Sequence, residues 1–356
     1  MSNRLWEDIL AQGANLERVI HHLQGPEAPA LKEAARFLRN DKPTVFIGMG
    51  SAAYLCWPAE AYLGRFGGPA WVMNASDALY TYWPTLANVN VVLNTRSGQT
   101  VELVKLSERL TEARVPFVAI TNEPDSPVAQ MATHVVWSNT RKDDLVSINV
   151  VTAMMLTTLL LVAEMVGETA QLQPVLSELP AMMSQTVDSA VARADALVEQ
   201  FAAIRPVYLL HRGTSKGAAY CGRLVLEEVA RTPGVPMEIA EFRQGPVEVV
   251  DDRFGAIIFV PPGELTDLTA TFVRSVRSGG GRVLAVGSAS NLRDLGAGTL
   301  EFPVRDLPEA LSPVLEVVPV QMLAYKLAEY QGYEPGTVQY LSKIITSETV
   351  IPNLGQ

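Results

Sequence analysis

Apolar residues recur at helical spacing through the first forty residues of the chain. The repeat is carried by Leu5, Ile9, Leu16, Val19, Ile20 and Leu23. Apolar side chains three or four positions apart line one face of a helix, so this stretch is predicted to be helical. Gly25-Pro26 interrupts the pattern, and a second helix is expected over Ala30–Leu38.

Beyond residue 40 the pattern changes to short apolar runs separated by helical stretches. The first runs are Thr44–Gly48, Val89–Asn94 and Phe117–Thr121. Each has the length of a buried strand, and strands that alternate with helices indicate βαβ units. The first half of the chain therefore predicts an α/β domain with a parallel sheet.

A second series of strand-like runs follows in the same order. These runs are Pro206–Leu210, Ile257–Val260 and Val283–Val286, and the last two lie 166 residues after their counterparts. The repetition predicts a duplicated domain that ends in a helix over 313–330. The expected boundaries are a helical segment at 1–30, a first domain at 31–165, a helical connector at 166–200, a second domain at 201–335 and a tail at 336–356.

Composition narrows the class of protein. Of the 356 residues 48% are hydrophobic, which excludes a disordered chain. The net charge of −10 argues against a nucleic-acid or membrane-surface partner, because both are anionic. Cys56 and Cys221 lack CxxC spacing, so neither a disulfide scaffold nor a zinc site is expected.

No segment of the sequence is expected to enter a membrane. The first ten residues lack the apolar core of a signal peptide. The apolar run Ile148–Ala163 is shorter than the ~20 residues that cross a bilayer, so it predicts a buried helix. A cytoplasmic protein is expected.

The segment Asn94–Thr100 joins a predicted strand to a helix that begins near Val101. Ligands of open parallel sheets bind beyond the carboxyl ends of the strands. Three hydroxyls, a glycine and a helix N-terminus supply the donors that a phosphate requires, although an ordinary N-cap turn uses the same residues. Of two further loops, Gly48–Ser51 can admit a ligand to the backbone. Thr121–Glu123 can either contribute to the same crevice or simply turn the chain, and a turn is the favoured prediction.

Two adjacent glutamates, Glu227 and Glu228, stand on a predicted helix over Cys221–Arg231. Glu228 shares a face with apolar residues three and four positions earlier and is expected to point inward, with Glu227 toward solvent. A partly buried carboxylate with a raised pKa can move protons near neutral pH. The structural alternative is that Glu228 forms an ion pair with an arginine such as Arg231.

A loop fixed by Gly245-Pro246 places Gln244 where its amide can meet a ligand. The histidines lack the spacing of metal ligands and are expected to be structural; they are His21, His22, His134 and His211.

Taken together, these motifs resemble the SIS (sugar isomerase) family, in the two-domain arrangement of the isomerase half of glucosamine-6-phosphate synthase and of stand-alone isomerases, deaminases and fructosamine-6-phosphate deglycases. The resembling stretches are Trp6–Ile9, Gly48–Ser51, Thr95–Thr100, Leu224–Glu228, Glu241–Pro246, Gln321–Tyr325 and Leu341–Lys343. The resemblance implies two tandem SIS domains, each a three-layer α/β/α sandwich around a mostly parallel five-stranded sheet.

The resemblance also implies roles for single residues. The expected substrate-binding residues are Gly50, Ser51, Thr95, Arg96, Ser97, Gln99 and Thr100, with phosphate held by the hydroxyls from Thr95 onward. Glu228 matches the glutamate that moves a proton between C1 and C2 of an open-chain sugar phosphate, and Lys343 matches a tail lysine beside the sugar carbonyl. No metal or organic cofactor is implied. A homodimer is expected, with the Glu241–Pro246 loop reaching into the neighbour's site.

Four positions depart from the family pattern. Gln244 replaces a histidine assigned to ring opening, and an amide cannot exchange a proton at neutral pH. Arg96 stands where glutamine or a small polar residue is common, Ala52 replaces a serine, and Ser147–Val151 lacks the usual Ser-Thr-Lys. The leading expectation is an isomerase, deaminase or deglycase acting on an amino-sugar phosphate or a sugar–amine adduct. The alternative is a non-catalytic sugar-phosphate sensor.

Overall fold

The computed structural model describes residues 3–340 and 342–349. The contacts between residues divide the chain into two compact units. The first-sheet unit holds residues 14–180 and the tail from residue 338, and the second-sheet unit holds residues up to 13 and 181–337. Of the predicted tail, Leu341 and residues 350–356 lie outside the described residues. The domain boundaries drawn from the sequence remain predictions.

The described residues form two parallel sheets of five strands each. The strands are β1 (Thr44–Gly48), β2 (Ala70–Asn74), β3 (Asn90–Thr95), β4 (Phe117–Thr121), β5 (His134–Trp137), β6 (Val207–His211), β7 (Gly234–Glu238), β8 (Gly255–Val260), β9 (Arg282–Ser288) and β10 (Leu300–Val304). Their order is β2-β1-β3-β4-β5 in the first sheet and β7-β6-β8-β9-β10 in the second. The α/β class is confirmed, and the two sheets repeat one topology.

Helices connect and cover these strands. They are α1 (Arg4–Leu10), α2 (Gln12–Gln24), α3 (Ala28–Leu38), α4 (Ser51–Tyr54), α5 (Trp57–Arg65), α6 (Ala75–Tyr80), α7 (Val101–Glu112), α8 (Pro127–Met131), α9 (Asn149–Val166), α10 (Thr169–Ala192), α11 (Ala194–Phe201), α12 (Lys216–Ala230), α13 (Ile239–Phe242), α14 (Thr266–Ser278), α15 (Ser312–Glu316) and α16 (Val318–Tyr330). The break expected at Gly25-Pro26 falls between α2 and α3. The single helix expected over 313–330 is instead α15 and α16, because Pro319 has no N–H to continue the helical ladder.

The inner strands are buried and the outer strands are not. Every residue of β1, β3, β4 and β8 is buried, which is why these strands appear in the sequence as continuous apolar runs. The outer strands β2, β5, β7 and β10 are partly exposed. Pro236 in β7 and Pro303 in β10 fit this position, since an outer strand can lack one ladder N–H.

Helix α9 lies in the core of the first-sheet unit, where it packs on α3 and α5. It is long and apolar enough to cross a membrane, but 89% of the apolar window is buried inside the protein. Apolar residues all around a helix are typical of one that is buried in a core. The expected buried helix is confirmed.

Candidate functional site

The loop after β3 is held in shape by its own hydroxyl groups. Thr95 Oγ1 accepts a hydrogen bond from the Gly98 N–H at 3.1 Å, and Ser97 Oγ accepts one from the Gln99 N–H at 3.2 Å. Thr95 is buried, whereas Ser97 and Thr100 are partly exposed. A hydroxyl that accepts a backbone N–H keeps its own proton to donate. The loop therefore carries O–H donors beside the N-terminus of α7.

Gly98 is required by this loop shape. Its φ of +61° lies in the left-handed region that favours glycine. A Cβ at this position would lie 1.9 Å from the Ser126 Oγ atom. A side chain here would force the loop and the start of α8 apart.

A pocket of about 280 Å³ opens beside the loop. It is lined by Arg96, Ser97, Gln99, Asn122, Glu123, Lys142, Asp143, Lys343 and Ile344. The structure thus brings together four of the residues expected at the site. Arg96, Ser97 and Gln99 come from the loop, and Lys343 comes from the tail. Gly50, Ser51, Thr95 and Thr100 are not among the lining residues.

Gly50 and Ser51 follow β1, the strand beside β3. Ser51 begins α4, and Gly50 has a φ of +55°. A Cβ at Gly48 would lie 2.5 Å from the Ala52 backbone. Both glycines therefore serve the sharp turn from β1 into α4, and contact of Gly50 or Ser51 with a ligand stays a prediction.

Lys343 lines the pocket, and the backbone of the tail around it is bound to the loop and to the start of α7. Arg96 Nη2 donates a hydrogen bond to the Lys343 carbonyl oxygen at 2.6 Å, and Arg96 Nη1 donates one to Ser147 Oγ at 3.2 Å. The Val101 N–H donates to the Ile345 carbonyl oxygen at 3.1 Å. The sequence led us to expect Arg96 beside a ligand. Arg96 lines the pocket and also binds the backbone of the tail at Lys343, a contact that sequence reasoning missed.

Asp143 is a second residue that sequence reasoning missed. Its buried carboxylate accepts hydrogen bonds from the N–H groups of Ile148, Asn149 and Val150 at 2.9, 3.0 and 2.9 Å. Burial raises the pKa of Asp143, and these donors oppose the rise. Asp143 lies six residues before the first residue of α9, outside the N-cap position, so the usual helix-start signal in the sequence does not mark it.

Opposite charges meet at the pocket rim. The exposed Lys142 forms an ion pair with Glu123, with Nζ 2.6 Å from Oε1. Asn122 is buried, and its amide binds both backbone groups of Thr140, at 2.7 and 3.1 Å. The amide thus fixes the chain turn after β4, for which a turn was predicted, while Glu123 and Lys142 balance one another's charge at the rim.

Glu228 lies on α12 in the second-sheet unit and is partly exposed, as is Glu227. The expected contrast between an inward and a solvated glutamate is therefore not seen. Glu227 is held on the helix by an ion pair with Arg223, with Nη2 2.9 Å from Oε2. Arg231, the alternative partner of Glu228, places its guanidinium 4.2 Å from the centroid of the Tyr333 ring.

Gln244 lies in the same unit, in the loop after α13. Its side chain is exposed, and its N–H donates to the Glu241 carbonyl oxygen at 2.9 Å. Gly245 has a φ of +148°, and Pro246 begins a short 3-10 turn. The predicted loop is confirmed, and the role of the Gln244 amide stays a prediction.

The carboxyl edge of the second sheet carries buried acidic groups. Glu316 is completely buried, and burial raises its pKa to about 7 although the hydroxyls of Ser215 and Ser312 lower it. His211, at the end of β6, has its pKa lowered to about 3 by burial. Among the described residues, no three His, Cys, Asp or Glu side chains could together hold a metal ion.

The first-sheet unit contains the part of the chain that matches a known family model. Residues 37–164, which contain β1 to β5, match the family model of the SIS domain. The chain is 25% identical over 332 residues to glutamine–fructose-6-phosphate aminotransferase (isomerizing) of Pyrococcus horikoshii, covering 90% of this chain and 54% of that protein. The chain thus spans about half the length of the curated relatives it matches.

Solved structures share the fold over nearly the whole chain. The C-terminal domain of glucosamine-fructose-6-phosphate aminotransferase from Francisella tularensis has a TM-score of 0.82 at 18% identity, covering 94% of this chain and 98% of that one. Glucosamine-6-phosphate deaminase from Thermotoga maritima has a TM-score of 0.77 at 19% identity, covering 96% and 99%.

Proposed function

Since residues 37–164 match the family model of the SIS domain, we propose that this chain is an enzyme that processes a phosphorylated sugar. The observation that carries the proposal is the loop after β3, where hydroxyl donors and a helix N-terminus adjoin a pocket that Lys343 also lines. The curated relatives are named aminotransferases of fructose 6-phosphate, and one structural neighbour is named a glucosamine-6-phosphate deaminase.

The loop is the proposed phosphate site. Ser97 and Thr95 hold backbone N–H groups through their oxygens and keep their O–H protons as donors. Within the described residues the Thr100 hydroxyl makes no capping hydrogen bond to α7, so it too is available. The positive end of the α7 dipole adds to the attraction of an anion.

Charge supports an anionic ligand. Arg96, Lys142 and Lys343 line the pocket, against the acidic Glu123 and the buried Asp143. Hydrogen bonds between a cation and a phosphate are about twice as strong as neutral ones. The pocket volume of about 280 Å³ suits a small ligand.

We propose that the second-sheet unit is a second SIS domain that supplies the proton-transfer groups. The strand order common to the two sheets supports the duplication. In this proposal the Glu228 carboxylate takes a proton from one of the carbons C1 and C2 of the open-chain sugar and returns it to the other. The Lys343 ammonium polarises the carbonyl. The chain supplies a base and a cation, as proton transfer α to a carbonyl requires.

Two reactions use this chemistry. One is aldose–ketose isomerisation, with or without hydrolytic loss of an amine. The other is deglycation, in which a fructosamine 6-phosphate and water yield a sugar phosphate and a free amine. Gln244 stands where the family has a ring-opening histidine, and this favours an open-chain amine adduct. The same substitution favours the competing candidate, a non-catalytic sugar-phosphate sensor.

Ligand-induced stabilisation tests the phosphate site. A ligand at 100 times its Kd raises the unfolding free energy by about 2.7 kcal/mol, which thermal unfolding detects. Sugar phosphates and their amine adducts would be screened in this way. Thr100→Val is expected to weaken a hit at least tenfold. Thr111→Val, an exposed threonine in the last turn of the same helix, is the matched control.

Mass spectrometry of the hits separates the candidates. Conversion of a hit, lost in Glu228→Gln while binding remains, supports the enzyme. Binding without conversion of any hit supports the sensor, and full turnover by Glu228→Gln would refute the proton-transfer role. We also propose a homodimer in which the Gln244 loop meets the neighbour's site; light scattering of the purified chain tests the dimer.

A further inference from the structure

The tail has no regular structure of its own over residues 342–349. Its position in the first-sheet unit therefore depends on individual contacts rather than on a helix or a strand. Three contacts hold it, and each uses a tail oxygen as the acceptor. They lie at Lys343, Ile345 and Glu348.

The first two contacts bind the tail backbone. The Arg96 guanidinium donates to the carbonyl oxygen of Lys343 at 2.6 Å, and its other nitrogen is held by Ser147. A planar guanidinium with two fixed partners loses little further entropy when it binds. The first N–H of α7, which has no partner within its own helix, donates to the Ile345 carbonyl oxygen at 3.1 Å.

The third contact binds the tail beyond the pocket. Glu348 accepts a hydrogen bond from the Tyr80 hydroxyl at 2.7 Å on one carboxylate oxygen and forms an ion pair with Lys105 on the other. Tyr80 ends α6 and Lys105 lies in α7, so one carboxylate joins the tail to two helices. Lys105 and Tyr80 lower the pKa of Glu348 and keep it ionised.

We propose that Arg96 and Glu348 are positioning residues that hold the tail against α7 and thereby keep Lys343 at the pocket. The proposal rests on the proposed function, since it assigns these residues to the placement of the lysine that meets the sugar carbonyl. Arg96 acts next to Lys343, and Glu348 acts five residues further along. Glu348 does not line the pocket. Its removal therefore tests positioning separately from binding.

The test compares Glu348→Gln with the wild-type chain in two measurements. The first is trypsin cleavage after Lys343, followed by mass spectrometry of the full chain. Because a docked segment resists proteolysis, we expect the variant to be cut at least fivefold faster at this bond. The second is turnover, where kcat should fall about tenfold while KM and the Kd of inorganic phosphate stay within about twofold.

Two further variants separate a specific anchor from general damage. Glu112→Gln changes an exposed glutamate in the last turn of α7 and is expected to behave as the wild type in both measurements. Lys105→Glu combined with Glu348→Lys restores an ion pair with reversed charges and is expected to recover most of the protection and of kcat. Arg96→Lys keeps the charge but not the two-point contact, so it should also release the tail.

The outcomes also distinguish this proposal from the proposed function. If Glu348→Gln is cut at the wild-type rate, or is cut faster with unchanged kcat, the positioning role is wrong and the enzymatic proposal stands. If the wild-type chain converts no sugar phosphate, the enzymatic proposal fails. The cleavage rates then decide whether these residues hold Lys343 in place.

Discussion

The two sheets share one strand order, but the loops at their carboxyl edges carry different side chains. Beside the first edge, Arg96, Lys142 and Lys343 line a pocket with hydroxyl donors. At the second edge, the Glu309 carboxylate lies beside the loops after β6 and β8: a Cβ at Gly213 would lie 2.8 Å from one of its oxygens, and a Cβ at Gly263 would lie 3.6 Å from the other. The first edge thus offers cations and hydroxyl donors to a phosphate, whereas a carboxylate lies beside the loops of the second edge.

The difference shows that the two units share a scaffold, whereas their loops determine where a ligand can bind. From the topology alone, a ligand could bind at either edge. The loops decide between them, because the Glu309 carbonyl oxygen accepts the hydroxyls of Thr214 and Ser312 at 2.9 and 3.0 Å and so fixes an acidic residue at the second edge.

Replacing a buried carboxylate tests this comparison, and we expect the largest change in unfolding free energy at Asp143. Asp143→Ala leaves three N–H groups of α9 without this acceptor, at about 1–3 kcal/mol for each unsatisfied group. We expect the unfolding free energy in urea to fall by about 3–5 kcal/mol. The exposed neighbour Asp144 is the control, and Asp144→Ala should change it by less than about 0.5 kcal/mol. A loss below about 1 kcal/mol would mean that water replaces the carboxylate.

At the second edge, replacing the carboxylate of Glu316 should instead raise the unfolding free energy at pH 7 and above. Its folded pKa of about 7 exceeds its ordinary value of 4.5, so between these values the native chain binds a proton that the unfolded chain has lost. Stability therefore falls as the pH rises from about 4.5 to 7, by about 3 kcal/mol for the full shift.

Glu316→Gln removes this dependence. We expect it to match the wild type near pH 5 and to be more stable by about 3 kcal/mol at pH 8. Urea unfolding at both pH values measures the difference, and Glu301→Gln on the outer strand β10 is the exposed control. Equal stability of wild type and Glu316→Gln at pH 8 would show that the carboxylate is ionised there without penalty.

The sequence predicted what local patterns determine. Inner strands such as β3 were found because burial on both faces leaves an apolar run, and the loop after β3 was found because its hydroxyls and glycine are adjacent in the chain. The outer strand β7 was missed because it is partly exposed throughout and contains Pro236, so it lacks both signals. The bond between Arg96 and Lys343 joins residues 247 positions apart, and no local pattern encodes it.

The shape of the first edge can be broken at Gly98. Gly98→Ala puts a Cβ 1.9 Å from Ser126 Oγ at a φ of +61°, so the loop must move. We expect phosphate-ligand binding to weaken at least tenfold, or about 1.4 kcal/mol. Gly167→Ala has a similar φ of +83° and no atom within 4 Å of its Cβ, so it isolates the backbone strain.

A double variant identifies the cause of that loss. Gly98→Ala with Ser126→Gly removes the atoms that collide and should recover part of the binding, measured by titration calorimetry with inorganic phosphate. Binding by Gly98→Ala equal to that of the wild type would mean that the loop does not hold the anion.

The smallest effect should come from the charge balance at the pocket rim. Glu123 pairs with Lys142 at 2.6 Å, so Glu123→Gln removes a negative charge and leaves the ammonium to the ligand. We expect inorganic phosphate to bind about two- to fivefold more tightly at low salt, because exposed pairs contribute under about 1 kcal/mol. The gain should vanish in 0.5 M salt, where exposed charges are screened. Glu108→Gln on the exposed side of α7 should leave the Kd unchanged, and an equal gain there would assign the effect to net charge rather than to the pocket.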